Sequence, residues 1–186
     1  MNVLVLVGSL RTGSTNRLLA DAAVAHLPSG VEGTVFPHLA ELPHYCEDLD
    51  SAGHLPVAAR ALREAVADAD AVLLVTPEYN GSMSSAVKNA VDWVSRPRGV
   101  AAIVGKPAAV IAATGSPRSA QWAREDGVKV LKVAGADVIE DTVGVGSAFQ
   151  AFVDGRLTDE SLDADLHSLM SRLARKVEHA RGRTAA

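Results

Sequence analysis

Three unbroken apolar runs constrain this chain most: "NVLVLVG" (2–8), "AVLLVTP" (71–77) and "PAAVIAAT" (107–114). A strand with one wet face alternates apolar and polar residues. A run without polar breaks must be buried on both faces, as in a parallel sheet covered by helices. Weaker strand candidates are "GTVFPH" (33–38) and a short piece within "DVIEDTVGV" (137–145). Helical periods fill the intervals. Leu19, Ala22, Ala23 and Leu27 share a face, and Pro56 suits a first helical turn before Ala58, Leu62, Ala65 and Val66. Val87, Ala90, Val91 and Val94 form a third stripe, and Ala123, Gly127, Val130, Leu131 and Ala134 a fourth. A last helix is expected from about Thr158, with Leu162, Leu166, Leu169, Leu173 and Val177 inward and a frayed tail over 181–186. Strand and helix thus alternate about five times, the pattern of a doubly wound α/β sandwich. With no internal repeat, low-complexity segment or linker, residues 1–186 read as one domain.

Bulk properties narrow the partners. A formal net charge of −4 with 22% charged residues is too mild to imply nucleic acid or another polyanion. Cys46 is the single cysteine and the six histidines show no ligand spacing, so neither a disulfide nor a metal site is expected. Met1 leads straight into an apolar run too short to span a bilayer, and no charged leader precedes it. The expectation is a cytoplasmic protein with no membrane partner.

In doubly wound sheets, ligands bind beyond the strand C-termini at a topological switch point. The loops leaving the three strongest strands are 8–16, 77–85 and 115–120. The first reads G-x-x-x-x-G-S-T, one residue away from a P-loop. Ser14 stands where a lysine ammonium must meet nucleotide phosphates, which argues against an NTPase. The G-x-G-x-x-G dinucleotide fingerprint is absent, and "VFPH" ends the second strand without an acid for a ribose hydroxyl. What remains is a set of donors at a helix N-terminus: the hydroxyls of Ser9, Thr12, Ser14 and Thr15, the Asn16 amide, backbone N–H groups and Arg11. That inventory fits the three oxygens of a phosphate monoester better than simple helix capping by Ser14 or Thr15.

Taken alone, the second loop is a turn. Pro77, Tyr79, Asn80 and Gly81 are turn residues, and Ser84 or Ser85 is expected to cap the following helix. Lys88 reads as solvated and Trp93 as a packing anchor on that helix. Cys46 lies in "LPHYCEDLD", read as a surface loop near the site.

Together, "GSLRTGSTNRLLA", "PEYNGSMSSAVKNAVDW" and "GKPAAVIAATGS", in that order and followed by "FVDGRLTDE", closely resemble the NADPH-dependent FMN reductase family. The resemblance implies a flavodoxin-like three-layer sandwich around a five-stranded parallel sheet. It implies that Ser9, Arg11, Ser14, Thr15 and Asn16 hold the FMN phosphate. Pro77, Glu78, Tyr79, Asn80 and Gly81 lie along the isoalloxazine ring, and Thr114, Gly115 and Ser116 close its other side. The implied activity takes hydride from NADPH or NADH and passes it through flavin N5 to a quinone, nitro, azo, metal-oxyanion or flavin acceptor. No protein side chain acts as nucleophile or general base, and no metal takes part. The segment "GSPRSAQWA" (115–123) departs from the glycine-rich third loop of many relatives, with Pro117 and Trp122 in it. In the family this region touches neighbouring subunits. A homodimer is therefore expected, and a homotetramer is in doubt.

Two further readings compete. One is a flavin reductase that releases reduced FMN to a partner monooxygenase. The other is a flavodoxin-type electron carrier, which would be more acidic and carry a threonine-rich T-G-x-T first loop.

Overall fold

The computed structural model describes residues 1–51 and 53–184. Its main sheet is parallel and contains β1 (Asn2–Val7), β2 (Glu32–Val35), β3 (Ala71–Thr76) and β6 (Pro107–Ala113) in the order β2-β1-β3-β6. The fifth position is shared by two short segments, β7 (Asp137–Val138) and β8 (Val143–Val145), both paired with β6. Residues 140–142 leave the sheet between them, and their side chains pair outward: Glu140 with Lys132, Asp141 with Arg172, and Thr142 with Arg124. Five helices cover the sheet: α1 (Thr15–Ala25), α2 (Val57–Asp68), α3 (Ser85–Val94), α4 (Gln121–Ala134) and α5 (Glu160–Thr184).

The strand period of two explains the unbroken apolar runs. Leu4, Leu6, Val72, Leu74, Ala108, Val110 and Ala112 face one layer, packed with Leu62, Val66, Val91, Trp93 and Leu131 of α2, α3 and α4. Val3, Val5, Val7, Leu73, Val75, Ala109 and Ile111 face the other, with Leu19 and Ala23 of α1 and Leu166, Met170, Leu173 and Val177 of α5. This is the expected flavodoxin-like three-layer arrangement.

Some local expectations shift. Pro56 is the residue before α2 rather than within its first turn. Helix α5 begins at Glu160, where the Asp159 carboxylate accepts from the N–H groups of Ser161 and Leu162 at 2.9 and 3.1 Å. The helix continues to Thr184, and Arg181 pairs with Asp70 at 2.7 Å, which ties the last turn to the sheet. Residues 185 and 186 lie outside the described residues.

Candidate functional site

The order β2-β1-β3 places a switch point between β1 and β3, because the chain leaves these two strands toward opposite faces. Loops 8–16 and 77–84 emerge side by side there, and 114–120 follows from β6. Gly8 N–H donates to the carbonyl of Val75 at 2.8 Å and so continues the pairing of β1 with β3 into the loops.

Serine 84 joins the first two loops. It occupies the N-cap position of α3 but does not cap that helix. Its hydroxyl donates instead to the carbonyl of Gly8 at 2.9 Å, and its backbone N–H donates to Thr76 Oγ1 at 3.0 Å. A Cβ on residue 8 would stand 2.3 Å from Ser84 Oγ. Only glycine permits this approach.

In the first loop, Ser14 is buried and caps α1, accepting from the N–H of Arg17 at 3.3 Å. That bond uses an oxygen lone pair, so the hydroxyl proton stays available to a phosphate. Capping and phosphate binding are compatible here. Ser9 is buried and Thr15 half-buried, and among the described residues no hydrogen bond engages either hydroxyl. The N–H groups of Thr15 and Asn16, at the first turn, have no partner within the helix. Asn16 stands apart from the donor set. Its buried amide donates to the carbonyl of Ala113 at 2.8 Å and accepts from the N–H of Ala113 at 2.9 Å. The side chain therefore bolts α1 to the end of β6, and its second amide hydrogen and the backbone N–H remain to meet a ligand.

The "PEYNGSM" segment is more than a turn. Two short strands, β4 (Glu78–Tyr79) and β5 (Ser82–Met83), pair antiparallel around Asn80 and Gly81, whose φ angles are +52° and +75°. Positive φ at both central residues defines the Asn-Gly hairpin, which matches the natural strand twist. The hairpin is braced against α4. Glu78 Oε2 accepts from the N–H of Ala123 at 3.1 Å, supplying the cap that Ala120 lacks, and Ser82 Oγ donates to Asp126 at 2.5 Å. Hydrogen bonds from Lys129 and Ser82 hold the Asp126 carboxyl below its ordinary range, so this brace is ionised at neutral pH. One carboxylate oxygen of Glu78 is thus engaged by the first turn of α4. Tyr79 and Asn80 are exposed, and Pro77 is buried beneath them.

The third loop is tied to the segment after β8. Ala148 N–H donates to the carbonyl of Thr114 at 2.9 Å, and Ser147 N–H to that of Ser116 at 3.0 Å. Within the loop, the N–H of Ser116 donates to Thr114 Oγ1 at 3.3 Å. Two residues outside the expected set reach the same edge. Trp122 lies against Gly81, with Cε3 3.3 Å from where a Cβ would be, and carries the Arg118 guanidinium 4.7 Å over its ring. Phe149 rests on Gly115. Trp122 lies in the first turn of α4, within the segment 115–123 already singled out in the sequence, whereas Phe149 follows β8, in a loop whose large exposed aromatic is the signal that marks it.

Other expected features sit away from these loops. Trp93 is fully buried, and its indole N–H donates to the carbonyl of Pro43 at 2.8 Å. Asn89 also donates to that carbonyl and accepts from the N–H of Tyr45, so the segment carrying exposed Cys46 is held against α3. Lys88 is exposed and pairs with Asp92 on its own helix. A groove of about 870 Å³ starts at Ser9–Arg11 but runs along Val24, Gly33 and Phe36, away from the hairpin and Gly115. No described helix is long and apolar enough to cross a membrane.

A doubly wound sheet with three loops converging on a switch point, one rich in free donors and one a braced Asn-Gly hairpin, defines a flavodoxin-like protein. The family model for NADPH-dependent FMN reductases matches residues 1–150. The chain belongs to that family. It is 35% identical over 187 aligned positions to an NAD(P)H-dependent FMN reductase of Pseudomonas aeruginosa, covering 98% of both chains. It is 46% identical over 111 residues to a 2-hydroxy-1,4-benzoquinone reductase of a Burkholderia species, a match spanning 60% of this chain and 59% of that one. Among solved structures it resembles the flavoenzyme NAD(P)H:(acceptor) oxidoreductase FerB from Paracoccus denitrificans. The TM-score is 0.81 at 31% identity, covering 96% and 97% of the two chains.

Proposed function

We propose that the chain binds FMN across the three loops and uses it to pass reducing equivalents from NADPH or NADH to a small-molecule acceptor, a quinone first among them. The observation carrying this reading is the Gly8–Ser84–Thr76 junction, which holds an open donor loop and a braced hairpin in fixed relation. Such an arrangement suits a ligand with a phosphate at one end and a planar ring at the other. The donor set fits FMN: two hydroxyls without protein partners, the Ser14 proton, the open N–H groups of Thr15 and Asn16, and Arg11.

When bound, FMN supplies the hydride-accepting chemistry that no side chain here provides. The chain's own tasks are binding, orientation and electrostatics. Ser9, Ser14 and Thr15 direct protons at the phosphate, and Arg11 adds charge. The hairpin segment carrying Glu78, Tyr79 and Asn80 would lie along the bound ring, where backbone donors would favour the negative charge that develops on reduction. Thr114, Gly115 and Ser116 border the opposite side.

The quinone preference is supported by the Burkholderia relative, a 2-hydroxy-1,4-benzoquinone reductase. The Pseudomonas relative's name supports a second reading, in which flavin itself is the product that leaves. Gel filtration of the FMN-loaded protein, followed by NADPH oxidation assays with 1,4-benzoquinone and with added FMN, separates the two. Flavin retained with quinone turnover supports the first reading; flavin lost, with turnover dependent on added FMN, supports the second. Absence of NAD(P)H oxidation with every acceptor would leave a carrier and overturn both. A homodimer is part of the proposal, supported by exposed Val133 and Val104 along a groove of about 530 Å³ beside α3 and α4. Sedimentation tests it.

A further inference from the structure

Arg11 makes no ion pair among the described residues, although it is an exposed cation in the donor loop. Its guanidinium carbon lies 5.5 Å from the centroid of the Phe149 ring. Phe149 is 67% exposed, so burial in the core does not explain its place. The ring is nonetheless fixed from below. A Cβ on residue 115 would come within 2.7 Å of Phe149 Cε2, so glycine there leaves room for the ring. The residues before it are tied by the Ala148–Thr114 and Ser147–Ser116 backbone bonds, and Ser147 turns the chain with φ +46°. Phe149 is thus held by the third loop and reaches the cation of the first.

We propose that Phe149 is a positioning residue for Arg11, holding its guanidinium over the first loop so that the donors in its plane meet the FMN phosphate. A guanidinium held beside an aromatic ring by cation–π attraction spends none of its five N–H donors on a hydrogen-bond acceptor, which leaves them free to fork onto phosphate oxygens. A free arginine loses rotamer entropy when it engages a ligand. The cation–ring contact with Phe149 removes part of that loss beforehand, which strengthens binding without a new contact to the ligand. The inference rests on the FMN reading above and extends it to a residue that touches the cofactor's partner rather than the cofactor.

The test is fluorescence titration with FMN and with riboflavin, which lacks the phosphate. Wild type is compared with Phe149→Ala, Phe149→Trp, Arg11→Ala and the Phe149→Ala/Arg11→Ala double variant. For a cation–ring contact at an exposed site, Phe149→Ala is expected to weaken FMN roughly two- to fivefold and leave riboflavin unchanged. Phe149→Trp is expected to restore FMN binding, and the Phe149→Ala effect to vanish once Arg11 is absent. Equal weakening of both flavins would make Phe149 a pocket wall and overturn the inference. Unchanged FMN binding in Phe149→Ala would also overturn it. A wild type that binds FMN no better than riboflavin would instead remove the phosphate clamp itself, a distinguishable failure.

Discussion

Replacing Gly81 with valine tests whether the hairpin shapes flavin chemistry separately from flavin retention. Gly81 sits at φ +75°, where an L-residue costs about 1–2 kcal/mol and a β-branched one is a genuine outlier. Space adds to the cost. A Cβ would stand 3.3 Å from Trp122 Cε3, and valine's methyls push further, displacing the ring from its Arg118 stack at about 0.5–1 kcal/mol. The sum, about 1.5–3 kcal/mol, falls on a hairpin of two residue pairs that is marginal by itself. The population with an opened hairpin should therefore rise roughly 12- to 150-fold. The sheet and the donor loop are untouched. Stopped-flow bleaching of bound flavin by NADPH should slow by about tenfold or more as the donors leave the ring's edge. FMN affinity should change far less. Lys88→Ala, which removes an exposed pair with Asp92, is the control and should match wild type. Reduction of the Gly81→Val protein at the wild-type rate, with FMN bound normally, would show that the hairpin does not shape the ring's environment.

Three further outcomes are expected. Ser14→Ala should weaken FMN about ten- to a hundredfold, from loss of a charge-assisted hydrogen bond of roughly 1.5–3 kcal/mol, and leave riboflavin binding largely unchanged in the same titration. Asn16→Ala should lower stability by about 2–4 kcal/mol in denaturant unfolding, because both backbone groups of Ala113 lose buried partners; a loss of FMN affinity at full stability would return its side chain to the phosphate. Arg63→Met should destabilise by about 2–3 kcal/mol at pH 7, since Arg63 grips Asp50 with two 2.8 Å bonds. Hydrogen bonds from Arg63 hold the Asp50 carboxyl below its ordinary range. The pair's contribution is thus full above the ordinary carboxylate range and lost as pH falls through the lowered value. The gap between variant and wild type should therefore shrink toward pH 3, and a pH-independent gap would contradict the pairing.

The layers were legible because strand and helix periods are local properties. Leu4 and Val5 announce by alternation that both sheet faces are covered, and Leu166 and Leu173 by spacing that α5 has one inward face. The Asn-Gly pair carried its hairpin in two letters, although the flanking strands were too short to show as strands. Contacts across long sequence separations were not legible. Ser84 stands where a capping serine belongs, but its hydroxyl meets Gly8. Asn16 matches a phosphate motif, yet its amide is committed to Ala113. Glu78 lies in the ring segment, while its carboxylate serves α4. In each case the residue type announced a polar partner, and only the fold determined which. The helix end at 181–184 carries no apolar signal, and its hold comes from Asp70 across the molecule.

The most direct measurement is an anaerobic spectrum of the purified, FMN-loaded protein before and after one equivalent of NADPH, with 1,4-benzoquinone then added. The expected result is a visible flavin band that bleaches on NADPH and returns in full on quinone. A protein that takes up no FMN, or whose bound flavin stays yellow in excess NADPH and NADH, would contradict the proposed function.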